Sequence, residues 1–114
     1  MIHLKKHLPY LQTLAIAAPA QRKAIIATSS NEQIDILSEL AANTLAGVIK
    51  LTTKEKQQLL PHAKVIRTAG RESNKLSTRK IIAVRHSEII GLLVGMVIKK
   101  LLKHISSKRK LNIK

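Results

Sequence analysis

The side chains able to do acid, base or metal chemistry in this chain are few, and their spacing argues against a catalytic centre. Cysteine is absent, which excludes thiolate nucleophiles, zinc–thiolate sites, iron–sulfur ligation and disulfides. The five histidines, His3, His7, His62, His86 and His104, match neither a metalloprotease nor a zinc-finger spacing. His3 and His7 lie one helical turn apart beside Lys5 and Lys6, and read as two solvated side chains rather than a metal pair. Of the six acids, Glu32, Asp35 and Glu39 fit the first turn and solvent face of a helix. His86 and Glu88, two residues apart, cannot face each other on a helix. The four glycines, at 47, 70, 91 and 95, form no phosphate-cradling loop. The expectation is a non-enzymatic protein with no cofactor and no metal.

The chemistry that remains is cationic. Lys and Arg number 21 against 6 Asp and Glu, a formal charge of +15 with a pI near 10.8. Residues 1–60 carry +3 of this and residues 61–114 carry +12, an asymmetry that suggests a polyanionic partner for the second half. Lys64, Arg67 and Arg71 recur at helical spacing, and Lys75, Arg79, Lys80, Arg85, Lys99, Lys100, Lys103, Lys108, Arg109 and Lys110 extend the set. Such a surface binds phosphates by Coulomb attraction and counterion release, without base recognition. Double-stranded DNA is the favoured partner; RNA and an acidic protein face remain open alternatives. Tyr10 is the sole aromatic residue, too few for stacking on single strands.

A second signal is the apolar run from Ile89 to Ile98. Its ten residues fall short of the roughly 20 that span a bilayer. Gly91 and Gly95 have the spacing that lets helices approach closely. A core helix is the first reading; self-association or membrane contact through Ile89, Ile90, Gly91, Leu93, Val94, Gly95, Val97 and Ile98 is the alternative. Homo-oligomers are expected, and stable membrane insertion is not.

The elements that must position these residues read as helices. At 114 residues the chain supports one domain, and an apolar share of 45% with almost no aromatics implies a core of Leu, Ile, Val and Ala. The segment from Met1 to Tyr10 reads as mature protein rather than a secretory signal, because Pro9 interrupts it and no cleavage context follows. Leu4, Leu8, Leu11, Leu14 and Ala15 form an amphipathic stripe, and Pro19 opens a second helix through Thr28 with Ile25 and Ile26 inward. Ser29 with Glu32 is spaced as a capping box, starting a helix whose buried stripe is Ile34, Leu37, Ser38, Ala41, Leu45 and Val48, with Gly47 as its stop. Thr52 with Glu55 repeats the box, followed by Leu59, Leu60, Ala63 and Ile66, a bend or break at Pro61, and an end at Gly70. Ser77 caps a last helix from Thr78 to about Ile105. The fold class expected is all-α: four or five helices, with residues 1–76 of near-balanced charge, a long basic and apolar helix over 77–105 packed on them, and a flexible basic tail over 106–114.

The order of these motifs resembles a known family. Gln21-Arg22-Lys23-Ala24-Ile25-Ile26, Ser30-Asn31-Glu32-Gln33-Ile34, Asn43-Thr44-Leu45-Ala46-Gly47, Leu51-Thr52-Thr53-Lys54-Glu55-Lys56 and His62-Ala63-Lys64-Val65-Ile66-Arg67 carry the likeness, which runs over residues 8–98. It is to small basic virion-associated proteins of Maverick/Polinton-type elements and of adintovirus-like and adenovirus-like DNA viruses. The resemblance implies a virion component, a core or minor capsid protein, found in the host nucleus or cytoplasm during assembly, and brings no catalytic residues. Family members often carry a glycine pair and a proline-punctuated apolar tail, where this chain has Arg85-His86-Ser87-Glu88 and an uninterrupted run; a membrane-active tail is therefore not implied. Two functions are expected from this: nucleic-acid packaging without sequence specificity, or, as the alternative, a minor capsid or cement protein acting through residues 89–98. A helix-turn-helix regulator is disfavoured, since no such turn is visible.

Overall fold

The computed structural model describes residues 5–71 and 74–113, with side chains described as far as Lys103. The fold is all-α, and no strand occurs among the described residues. Among the described residues seven α-helices of seven residues or more follow in order: α1 Leu8–Ile16, α2 Pro19–Ala27, α3 Asn31–Leu45, α4 Thr53–Leu59, a 3-10 turn Leu60–His62, α5 Ala63–Ala69, α6 Leu76–Arg85 and α7 Ser87–Ile113. The count exceeds four or five because the helix expected to bend or break at Pro61 is divided there and the last helix, read as continuous, is divided at His86.

Local chemistry sets most of the boundaries. Pro9 sits in the first turn of α1, where its missing N–H would have had no helical partner. The next proline, Pro19, holds Ala18 extended and so separates α1 from α2. The cap of α3 is Ser30, not Ser29: the Ser30 hydroxyl accepts from the Gln33 amide at 3.1 Å, and the Gln33 side chain accepts from the Ser30 amide at 2.9 Å. Thr52 and Glu55 form the expected box at 3.1 and 2.8 Å. At the far end of α3, Gly47 takes φ +77, and the Val48 and Gly47 amides return to the Asn43 and Thr44 carbonyls, closing a Schellman motif. Leu45 and Val48, expected in the buried stripe, are exposed at this fraying end, while Ile36 and Leu40 join the core. Leu60 is likewise exposed, rotated outward by the 3-10 turn. The last helical region begins at Leu76 with Lys75 as its cap position, two residues before the expected start behind Ser77.

Residues 77–105 were expected to form one helix; α6 and α7 instead meet at 93°. The buried positions Arg79, Ala83, Ser87, Ile90, Val94, Val97 and Leu101 keep helical spacing straight through the break, so the sequence pattern carries no mark of it. Tertiary packing decides: α6 lies against α2, α3 and α5, while α7 lies along α1 and also touches α2 and α3. No single helix among the described residues is long and apolar enough to cross a membrane.

The core is aliphatic. Leu11 and Leu14 of α1, Ile26 of α2, Leu40 of α3, Ile66 of α5 and Ile90, Leu93, Val94 and Val97 of α7 are its fully buried side chains. The apolar run of α7 is therefore the centre of the protein's own interior. Ile90, Gly91, Leu93, Val94, Val97 and Ile98 are buried and Ile89 is half-buried against the same core. The chain's own α1 packs along α7; of the two glycines in the expected interaction set, an added Cβ would strike Arg22 at Gly91 and meet nothing within 4 Å at Gly95.

Candidate nucleic-acid interface

The expected cationic positions separate into three kinds once placed. Arg79 is structural. Its side chain is 9% exposed, and its guanidinium donates to Asp35 Oδ1 at 3.1 Å, Ser38 Oγ at 2.9 Å and the Asn74 carbonyl at 3.2 Å. No phosphate reaches a group so enclosed, and Arg79 leaves the binding set. Two lysines are partly committed: Lys80 donates to the Ser29 carbonyl at 3.0 Å, and Lys100 pairs with Glu55 at 3.0 Å. Lys64, Arg67, Arg71, Lys75, Arg85, Lys99 and Lys103 are exposed with no side-chain partner among the described residues. The side chains of Lys108, Arg109 and Lys110 lie outside the described residues; the backbone there continues as helix to Ile113, past the expected end at Ile105.

The first half also contributes, which its near-balanced charge concealed. Three of its four acids, Glu32, Asp35 and Glu55, are paired within the chain. Glu32 accepts from Lys6 at 3.2 Å and contacts His7 at 3.1 Å, and these bonds hold its carboxyl below the usual range. The Glu55 carboxyl is likewise lowered, first by the Thr52 amide and then by Lys100. Lys5, Lys23, Lys50, Lys54 and Lys56 are left exposed and unpartnered. Of the seventeen Lys and Arg with described side chains, five are engaged: Lys6, Arg22, Arg79, Lys80 and Lys100. The other twelve are all exposed, and only Glu39 and Glu88 remain as uncommitted acids among the described residues.

These cations gather at three places. Lys64, Arg67 and Arg71 share one side of α5 and its C-terminal turn. A groove of about 620 Å³ between α2 and α6 is bordered by Lys23, Lys80 and Arg85, with Ile81 and Val84 in its wall. A groove of about 680 Å³ between α4 and α7 is bordered by Lys54, Lys99, Lys100 and Lys103, with Gly91 and Gly95 in its floor. Lys23 and Lys54 were not singled out from the sequence. The signal that finds them is subtraction: once Glu32, Asp35 and Glu55 are assigned their partners, the surplus is no longer confined to residues 61–114.

The two glycines of α7 differ in role. A Cβ on Gly91 would fall 2.5 Å from the Arg22 guanidinium, which lies over it while capping α1. Arg22 donates to the Leu14 carbonyl at 2.8 Å, the Ala17 carbonyl at 2.9 Å and the Ala15 carbonyl at 3.3 Å, satisfying carbonyls that the end of α1 leaves without helical donors. Gly95 meets nothing within 4 Å.

Other sequence candidates resolve as follows. His7 is held by Glu32, and His3 lies outside the described residues. No group of three or more His, Asp or Glu side chains that could hold a metal occurs among the described residues. Ser29, expected as a cap, is buried; its hydroxyl donates to the Ile25 carbonyl at 2.7 Å and shares a 2.6 Å bond with Tyr10. No family model matches the chain, and neither a curated protein nor a solved structure matches it.

Proposed function

We propose that this protein binds nucleic acid through phosphates, without sequence specificity, and acts in packing or organising a genome rather than in catalysis. One observation carries the reading: twelve exposed, unpartnered cations stand against two uncommitted acids among the described residues. A protein balanced only for solubility would intersperse both signs; here Glu32, Asp35 and Glu55 are paired within the chain, with Lys6 and His7, Arg79, and Lys100. Arrangement on several helices suits a polymer that wraps or is bundled, since long-range attraction to phosphate needs no single oriented reading helix. The family resemblance sets this activity in a virus particle, with double-stranded DNA as the polymer. The burial of Ile90, Leu93, Val94, Val97 and Ile98 weighs against the alternative of a cement protein working through residues 89–98.

The test is a salt titration of binding to a duplex of about 30 base pairs, followed by fluorescence anisotropy. With about six phosphates neutralised, log K against log salt should fall with a slope near −5, alike for unrelated sequences. A slope shallower than about −2, or strong preference for one sequence, overturns the proposal.

A further inference from the structure

Three grooves border cations, and they are not equivalent. In the α2–α6 groove Lys80 is tied to the Ser29 carbonyl, and Ile81, 58% exposed, stands in the wall. The groove beside the end of α3 is mainly apolar, with Lys50 and Lys56 in its lining. The α4–α7 groove alone combines three unpartnered lysines with two glycines, Gly91 and Gly95, in a floor that Leu92 and Met96 also line.

We infer that the α4–α7 groove seats the sugar–phosphate backbone of duplex DNA, and that Gly95 keeps it open; this rests on the nucleic-acid reading above. Gly95, Lys99 and Lys103 follow one another at four-residue intervals along α7, about 6 Å per step, and so share a face. Across the groove α4 presents Lys54 and Gln58, also four residues apart. The Glu55 carboxylate on this wall is occupied by Lys100 at 3.0 Å and by the Thr52 amide at 2.8 Å. Its charge is thereby spent, and Lys54, Lys99 and Lys103 stay free for phosphate oxygens. At Gly95 the backbone is an ordinary helix and an added Cβ meets no atom. Absence of a side chain there has no packing reason within the fold, in contrast to Gly91 beneath Arg22. Its consequence is open space one turn before Lys99 on the same face, which a chain of phosphates needs and a bulky side chain would fill.

The experiment uses the full chain and a duplex of about 30 base pairs, with anisotropy read across a salt series and helicity by circular dichroism. Gly95→Leu should keep its helical spectrum, weaken binding by about tenfold or more, and make the salt slope shallower by about two to three. Gly95→Ala, whose methyl is too short to reach across, should stay within about threefold of the wild type. Lys99→Ala with Lys103→Ala should reduce the slope by about two, giving an independent reading if the leucine variant does not fold. A folded Gly95→Leu that binds with wild-type affinity and slope overturns the groove while leaving nucleic-acid binding intact. Wild-type protein without salt-dependent binding overturns the wider reading as well, so the two failures are told apart.

Discussion

Arg79 is where charge counting and structure part most sharply, and its removal separates the two roles an arginine has here. Replacing it by Ala takes away three charge-assisted hydrogen bonds, to Asp35, Ser38 and the Asn74 carbonyl. The residues left behind fare unequally. Asp35 is 56% exposed in its side chain and is rehydrated at little cost, and Ser38 keeps its bond to the Ile34 carbonyl at 3.2 Å. The loss is therefore below the 3–5 kcal/mol seen when a buried charge is orphaned. Hydrogen bonds to a charged group contribute roughly 1.5–3 kcal/mol each when cleanly deleted. With two of the acceptors compensated and the aliphatic stem's packing also lost, the expected destabilisation is about 2–3 kcal/mol. That is a large part of the roughly 5–15 kcal/mol of a domain this size. Arg67→Ala, on an exposed side of α5, should change stability by no more than about 0.5 kcal/mol. Urea denaturation with both variants measures the contrast. Read against DNA below the unfolding range, the pattern reverses: Arg67→Ala makes the salt slope shallower and Arg79→Ala leaves it unchanged. An Arg79→Ala variant as stable as wild type, or one with a shallower slope, would refute the placement of this arginine in the interior.

Further expectations follow from individual contacts. Ser30→Ala and Thr52→Ala should each cost about 1 kcal/mol through loss of a cap, measurable by chemical denaturation. Ser29→Ala acts by another route, and near-ultraviolet spectra of Tyr10 should report the lost 2.6 Å bond. Gly70→Ala should destabilise clearly, because its Cβ would sit 2.9 Å from the Ala42 backbone nitrogen, whereas Gly95→Ala should gain up to about 1 kcal/mol from helix propensity. Glu32 and Glu55 both have carboxyls lowered in the folded state. Their contribution is present above the ordinary glutamate range and is lost as pH falls through the lowered folded values; Glu55→Gln should flatten that acid limb in a pH series of urea midpoints. Val94→Asp, at a fully buried position, should abolish the cooperative transition.

How much of this was legible from the chain depends on whether the deciding contact is local. Thr52 with Glu55, the break at Pro61, the stop at Gly47 and the core stripe of Ile34, Leu37, Ser38 and Ala41 are all governed by neighbours within a turn or two, and sequence reading finds them. Ser29 and Ser30 are adjacent, and each has an acceptor three residues on, Glu32 or Gln33; local chemistry cannot choose. Tyr10, from a different helix, takes the Ser29 hydroxyl and leaves Ser30 to cap. Arg79 looks like any other cation until Asp35, 44 residues earlier, is brought beside it. The break at His86 stayed hidden because the apolar stripe runs in register through it. Similarly, the cationic groove joins Lys54 of α4 to Lys99 and Lys103 of α7, a juxtaposition that no spacing along the chain encodes.

The clasp of Arg22 over Gly91 bears on the order in which the chain can settle. Leu11 and Leu14 are fully covered only when α7 is present, and the arginine that closes α1 rests on a residue 69 positions further along. Contacts of such long range form late, after the entropy of closing a large loop has been spent. A chain emerging from the ribosome cannot complete its first helix's packing until α7 has been made. Until then its leucines stay uncovered while the charge of the lengthening chain rises from the +3 of residues 1–60 toward +15. The clasp thus ties burial of the apolar surface to completion of the cationic face. Any variant that slows it, Gly91→Ala first, should prolong an aggregation-prone stage out of proportion to its effect on final stability.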